Sequence, residues 1–150
     1  MRAVIQRVSE ASVTINYSQK RSIGPGLLVL LGVAPDDRED DLAWMAGKIP
    51  ALRIFEDPEG KMNLSVKDIQ GDIMVVSQFT LFASTKKGNR PGFSLSAPPA
   101  QAVPLYQEFV RRIEGILDKP VPTGEFGAHM DLDIQNNGPV TIILDSKNRE

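Results

Sequence analysis

The chain has no cysteine, one histidine, one tryptophan and only 6% aromatic residues among its 150. Without thiols there is no disulfide framework, no cysteine nucleophile and no thiolate metal site, which suits a reducing compartment. The lone histidine, His129, leaves little material for a nucleophile and base pair, because an attacking hydroxyl needs a base within hydrogen-bond reach. No apolar run nears the roughly 18 residues of a membrane span. The start Met1-Arg2-Ala3-Val4-Ile5-Gln6-Arg7 also lacks the apolar stretch of a signal peptide, so a cytoplasmic protein with no membrane partner is expected. An excess of positive charge is missing too. A formal net charge of −2 argues against a protein that coats nucleic acid through a broad basic surface, and any RNA contact has to be local.

What is present is ordinary for one globular domain: 41% hydrophobic and 24% charged residues. Ala3-Val4-Ile5 and Val13-Thr14-Ile15 read as short β-branched strands, and Leu27 to Val33, after Gly24-Pro25-Gly26, as a strand buried on both faces. Asp36 or Asp37 is placed to cap a helix running through Met45 to about Ile49, with Leu42, Met45 and Ile49 inward and Pro50 marking its end or a kink. Arg53 to Glu56 and Met62 to Val66 flank the turn Asp57-Pro58-Glu59-Gly60, and Ile73 to Gln78 is a further strand. Residues 83–98 have no period and read as a long loop. Pro98-Pro99 opens a second helix with Leu105, Phe109, Ile113 and Ile116 as its core stripe, ending near Asp118-Lys119-Pro120. Met130, Leu132 and Ile134 alternate with polar residues in a strand that is expected to turn at Asn136-Asn137-Gly138 into Val140 to Leu144. The pattern predicts a single α/β domain, residues 1–150, with a mixed or largely antiparallel sheet and two main helices.

Two segments stand out chemically. Ser77-Gln78-Phe79-Thr80 ends an apolar strand with three hydrogen-bonding side chains and an aromatic, as where a strand end opens into a pocket; composition alone favours a polar strand end with Phe79 in the core. Asn137-Gly138-Pro139 joins a strong turn signal to a proline that removes a ladder donor. A cis Gly138-Pro139 bond lies only about 0.5–1 kcal/mol above trans, and energetics alone favour the trans form at an edge strand. His129, Asp131 and Asp133 share a strand face, but period-2 polar residues are usually its wet side, and no metal or other cofactor is expected. Trp44 and Tyr106 lie in helices and are read as packing residues.

Both segments, in this order and at this separation, resemble the D-aminoacyl-tRNA deacylases. Gln6-Arg7-Val8, Gly24 and Gly26, Leu52-Arg53-Ile54-Phe55, Lys86-Lys87-Gly88, Arg90-Pro91 and Phe126-Gly127-Ala128 extend the resemblance over the whole chain. Glu125, where the family often has a basic residue, and Asn137, where aspartate is frequent, depart from its pattern. The resemblance implies that family's fold, with sheets partly closed like a barrel, and a homodimer whose active site spans the subunit interface. Ser77, Gln78, Phe79 and Thr80 would form the catalytic floor. Gly138 and Pro139, joined by a cis bond, would enter from the other subunit, with Met130 lining the pocket and Arg7 holding the proline segment. The substrate implied is the acceptor end of a tRNA carrying a D-amino acid or glycine, with Lys86, Lys87 and Arg90 as candidate phosphate contacts. Two other readings stand beside hydrolysis: a nucleic-acid-binding homologue without activity, and a domain that binds free D-amino acids.

Overall fold

The computed structural model describes every residue from Met1 to Glu150. Its longest early element is β1 (Arg2–Ile15), a continuous strand of 14 residues. The two short β-branched runs are its ends, joined because no glycine or proline between them interrupts extended backbone. β1 turns into β2 (Gln19–Ile23), pairs through Arg2 to Val8 with β3 (Gly26–Gly32), and pairs along its other edge with β7 (Met130–Asp145), all antiparallel. β6 (Asp72–Ser77) lies parallel to β3, so the sheet is mixed, and it curls into a half-barrel. Gly26 permits the close start of that parallel pair, since a Cβ there would stand 1.9 Å from the Asp72 carbonyl oxygen. β4 (Phe55–Glu56) and β5 (Met62–Leu64) form a separate small hairpin.

The period of two in β3 and β6 divides the interior. Leu27, Val29, Leu31, Ile73 and Val75 face one cluster, completed by α1 (Glu39–Ala51) and α2 (Pro99–Leu117). Leu28, Met74 and Val76 face a second cluster with Val8, Ala11, Val13 and Ile15 of β1, against which Met130 and Leu132 pack. No helix is long and apolar enough to cross a membrane.

Three local expectations are corrected. The first helix begins at Glu39, not after Asp36 or Asp37. Asp37 is buried and already used, accepting from the Ala34 amide at 2.7 Å and from the Met1 ammonium at 2.5 Å. Asp41 closes the helix start instead, accepting from the Arg38 amide at 2.9 Å. The buried face of α2 is Ala102, Tyr106, Phe109 and Ile113, with Leu105 at its edge and Ile116 outside the core. The helix is rolled toward Tyr106 because that hydroxyl donates to the Val75 carbonyl at 2.8 Å, whereas an unpaired buried hydroxyl would cost about 1–3 kcal/mol.

The third correction is the largest: residues 130–145 form one strand, not a hairpin. Between the pairs Gln6↔Thr141 and Val8↔Asn136, β1 has only Arg7 while β7 has Asn137, Gly138, Pro139 and Val140. The turn signal Asn-Gly-Pro therefore makes an outsized bulge, and the strand resumes its direction beyond it.

Behind α1, Lys147 Nζ lies 2.7 Å from Asp41 Oδ2. Burial pushes the Asp41 carboxyl up, but Lys147, the Arg38 amide and the Ser146 hydroxyl outweigh it and hold the group at about 2 against an ordinary 3.8. A carboxylate depressed on folding contributes stability that is complete above its unfolded value and disappears as pH falls through the folded one. Thermal unfolding followed from pH 6 to pH 2 is expected to show a fall in Tm between about pH 4 and pH 2, with a shallower fall in Asp41→Asn.

Candidate functional site

Where β6 ends, the chain passes through Gln78 into a single 3-10 turn, Phe79–Phe82. The Gln78 amide donates to Leu31 O at 2.8 Å, tying this corner to the end of β3. Gly32 allows the approach: a Cβ there would meet Gln78 O at 2.9 Å and the Phe82 ring at 3.1 Å. The turn is closed by Leu81 N donating to Gln78 O and Ala83 N to Thr80 O. Phe79 and Thr80, as its first residues, have no partner inside it for their amides. The Gln78 side-chain amide donates to the Thr80 hydroxyl at 2.5 Å.

Beside this corner is a cleft of about 680 Å³, a volume suited to a small-molecule ligand. Val76, Ser77, Gln78 and Phe79 form one side. Phe93 and the segment 96–99, from the end of the long loop, form another, with Phe93 edge-on to Phe79 at 5.1 Å. The remaining wall is residues 126–130 with Leu132. Phe79 is 53% exposed, so it belongs to the cleft mouth and not to the core. Thr80 is exposed just outside the lining.

Of the residues singled out in the sequence, Ser77, Gln78, Phe79 and Met130 share this cleft. Gly138 and Pro139 do not. Their peptide bond is cis, both residues are exposed, and they lie in the β7 bulge opposite Arg7. Arg7 is buried there, with Nε donating to Asn137 O at 3.1 Å and Nη1 to Ile54 O at 2.7 Å. A second, smaller cavity of about 220 Å³ adjoins it, lined by Arg7, Pro25, Phe55 and Asn137 among others. Within one chain the two segments are thus presented at separate places. Lys86, Lys87 and Arg90 are exposed on the loop whose far end, from Phe93, reaches the cleft.

His129 and Asp131 meet at 3.2 Å, but Asp133 turns away to Ser12 and Lys20, so the three do not converge on one point. Trp44 packs at the edge of the core and is flanked by the Arg149 and Lys48 cations. Tyr106 is buried, and burial pushes its hydroxyl pKa up.

Phe93 in the cleft and Gly124 behind it carried no signal of that place in the sequence. Phe93 was visible only as one of the few apolar side chains, with Leu95, in a polar, aperiodic loop. Gly124 gave no signal, yet a Cβ on it would fall 2.3 Å from Met130 Sδ and 3.5 Å from Val76 Cγ1, so its bareness sets where Met130 stands.

The chain is similar to known proteins over nearly its whole length. Residues 4–145 match the model of the family described as D-Tyr-tRNA(Tyr) deacylase. The D-aminoacyl-tRNA deacylase of Chlorobaculum parvum is 58% identical over 146 residues, covering 97% of this chain and 98% of that relative. The protein of that name from Akkermansia muciniphila is 52% identical over the full length of both. Among solved structures, the c-Myc DNA Unwinding Element Binding Protein superposes with a TM-score of 0.90 at 44% identity, covering 97% of this chain and 98% of that one.

Met130 is flexible enough to yield to a methyl group, so Gly124→Ala is expected to fold, losing about 1 kcal/mol in urea unfolding. Its crystal structure should show the Met130 side chain displaced into the cleft. A loss beyond about 3 kcal/mol would mean that Met130 is clamped and cannot give way.

Proposed function

The chain belongs to the D-aminoacyl-tRNA deacylase family, and on that premise we propose that its cleft seats the esterified 3′ end of a D-aminoacyl-tRNA and releases free tRNA and the D-amino acid. Hydrolysis of aminoacyl-tRNA follows from membership; the residue roles are the proposal. The observation that carries it is a cleft of about 680 Å³ floored by Ser77, Gln78 and Phe79 and walled by Met130. Water adds across the ester: the acyl carbon takes the hydroxyl, and the departing ribose oxygen takes the proton.

Thr80 is not the nucleophile in this reading. Its hydroxyl is engaged by the Gln78 side-chain amide, which is no base, and the one histidine is paired with Asp131 and stacked on Tyr17. The amides of Phe79 and Thr80 hold the ester carbonyl and stabilise the oxyanion as it forms. The ribose 2′-hydroxyl positions or activates the water. The protein contributes placement and polarisation, both of which survive the absence of a catalytic base.

Handedness is selected from the partner subunit. Gly138 and Pro139 are exposed and lie outside the cleft of their own chain. The outer edge of β7 is unpaired, with Ile134 and Ile143 exposed. A second copy of the chain brings that bulge over the first copy's cleft, where the two carbonyls grip the α-amino group. An L side chain then strikes the proline wall, while a D side chain points away. Glycine has no side chain to exclude, so glycyl-tRNA is a second substrate. Lys86, Lys87 and Arg90 meet phosphates of the acceptor end, and the enzyme works in the cytoplasm beside the charged tRNA pool. An inactive nucleic-acid binder fits less well with the net charge of −2, and a free D-amino-acid receptor leaves most of the cleft unfilled. Matched D- and L-aminoacyl-tRNA assays, run beside free D-amino acid binding and sedimentation, separate the three.

Folded Thr80→Ala is expected to lose less than about tenfold in single-turnover deacylation, against about 10²–10³-fold for a lost oxyanion donor; complete loss would make the threonine hydroxyl essential. At Gly138, with φ +120°, a Cβ would meet Arg7 Nη2 and Val140 Cγ2, both at 2.9 Å, so Gly138→Ala has to move the bulge. A fall of about 10²-fold in deacylation is expected from such misplacement. An unchanged rate and chirality would remove the bulge from the site.

A further inference from the structure

The turn between β1 and β2 is built in an unfavourable way. Ser18 N donates to Ile15 O at 3.1 Å across Asn16 and Tyr17, whose φ angles are +47° and +62°. A two-residue turn with both central φ positive favours Asn followed by Gly. Here the glycine place holds a tyrosine, in a region that bulky side chains rarely adopt. Burial does not compensate, for Tyr17 is 76% exposed. Such a departure points to a use for the ring.

The ring stacks on His129, with centroids 4.7 Å apart and planes at 22°. His129 lines the cleft beside Met130, so the stack adjoins the cleft lining. It is also held rigidly. Asn16 N donates to His129 O at 2.9 Å. Arg21 Nη1 donates to Thr123 O at 2.7 Å, which pins the hairpin to the segment that leads into that wall. Asp131 Oδ1 lies 3.2 Å from His129 Nε2. That carboxylate disfavours a phosphate here, whereas an aromatic face accepts any base by stacking.

We propose that the Tyr17–His129 stack is a platform for a nucleobase of the substrate's single-stranded end, the base next to the esterified nucleoside. Tyr17 is then a positioning residue for the polynucleotide and not for the amino acid. The inference rests on the reading that the ester is seated in the cleft at Ser77 to Phe79. It accounts for an aromatic pair that the chemistry of the ester does not use.

The turn itself supplies a discriminating variant. Tyr17→Gly removes the ring and relieves the backbone, so its Tm should equal or exceed that of the parent. Single-turnover deacylation is measured with two substrates, D-aminoacyl-tRNA and D-aminoacyl-adenosine. For the tRNA, Tyr17→Gly should raise the half-saturating concentration about tenfold, equivalent to about 1.4 kcal/mol and within the range of one base stack, with an unchanged plateau rate. For the adenosine ester it should change nothing, and Tyr17→Trp should behave as the parent. Equal loss on both substrates, reduced stability with loss on both, or no loss on either would overturn the platform. A parent enzyme inactive on both substrates would instead overturn the seating of the ester, and the platform with it.

Discussion

Four residues of one strand lie opposite a single residue of its partner, and the architecture of the site follows from how that mismatch is held. β7 pairs with β1 on both sides of the mismatch, so Asn137 to Val140 cannot slip along the ladder and have to project from it. Arg7 fills the gap. Its guanidinium is buried without a carboxylate and is satisfied by the carbonyls of Asn137 and Ile54. No buried side-chain polar atom in the chain is left without a partner. Removing Arg7 would leave those carbonyls unpaired and the bulge unsupported. Its contacts fasten the base of the bulge at Asn137, next to Gly138 and Pro139, which lie outside the chain's own cleft.

The cleft depends on a different feature, the two-sided burial of β3 and β6. One face of these strands is spent on the helices. The other faces the second cluster, and its last members, Val76 and Met130, are also cleft walls. The floor is therefore the end of a core strand, continued into a turn that is fastened to β3 through Gln78 N and Leu31 O. In the proposed mechanism, main-chain groups on such a base act as pre-oriented dipoles that stabilise the developing charge. The same use of the main chain governs chirality in the proposed dimer, where main-chain carbonyls sense the α-amino group and the chemistry of the side chain is left free.

The parts of this fold that depend on local rules were legible in the residues. The buried run at Leu27 to Leu31, the hairpin around Asp57 to Gly60, the strand into Ser77 and the helix opened by Pro98-Pro99 each carry their own period or punctuation. The illegible parts are those where a local signal lost to a distant partner. Asn137-Gly138 is a turn signal that β1 pairing overrode. Asp37 is a good helix cap that the Met1 ammonium and the Ala34 amide had already engaged. Phe93 and Gly124 bear on the cleft only through neighbours remote in the chain.

By itself the sequence determined the class of fold, the two helices, most strands and, through resemblance, the family, because hydrophobic period and a contiguous motif are properties of neighbouring residues. Tertiary structure alone decided that β1 and β7 are single long strands, that Ser77 to Phe79 and the Gly138-Pro139 bulge are kept apart within one chain, and that Tyr17 stacks on His129 of the cleft lining. Strand register and the meeting of side chains from separate segments are settled by the summed pairing and packing of the whole chain, which no local stretch encodes.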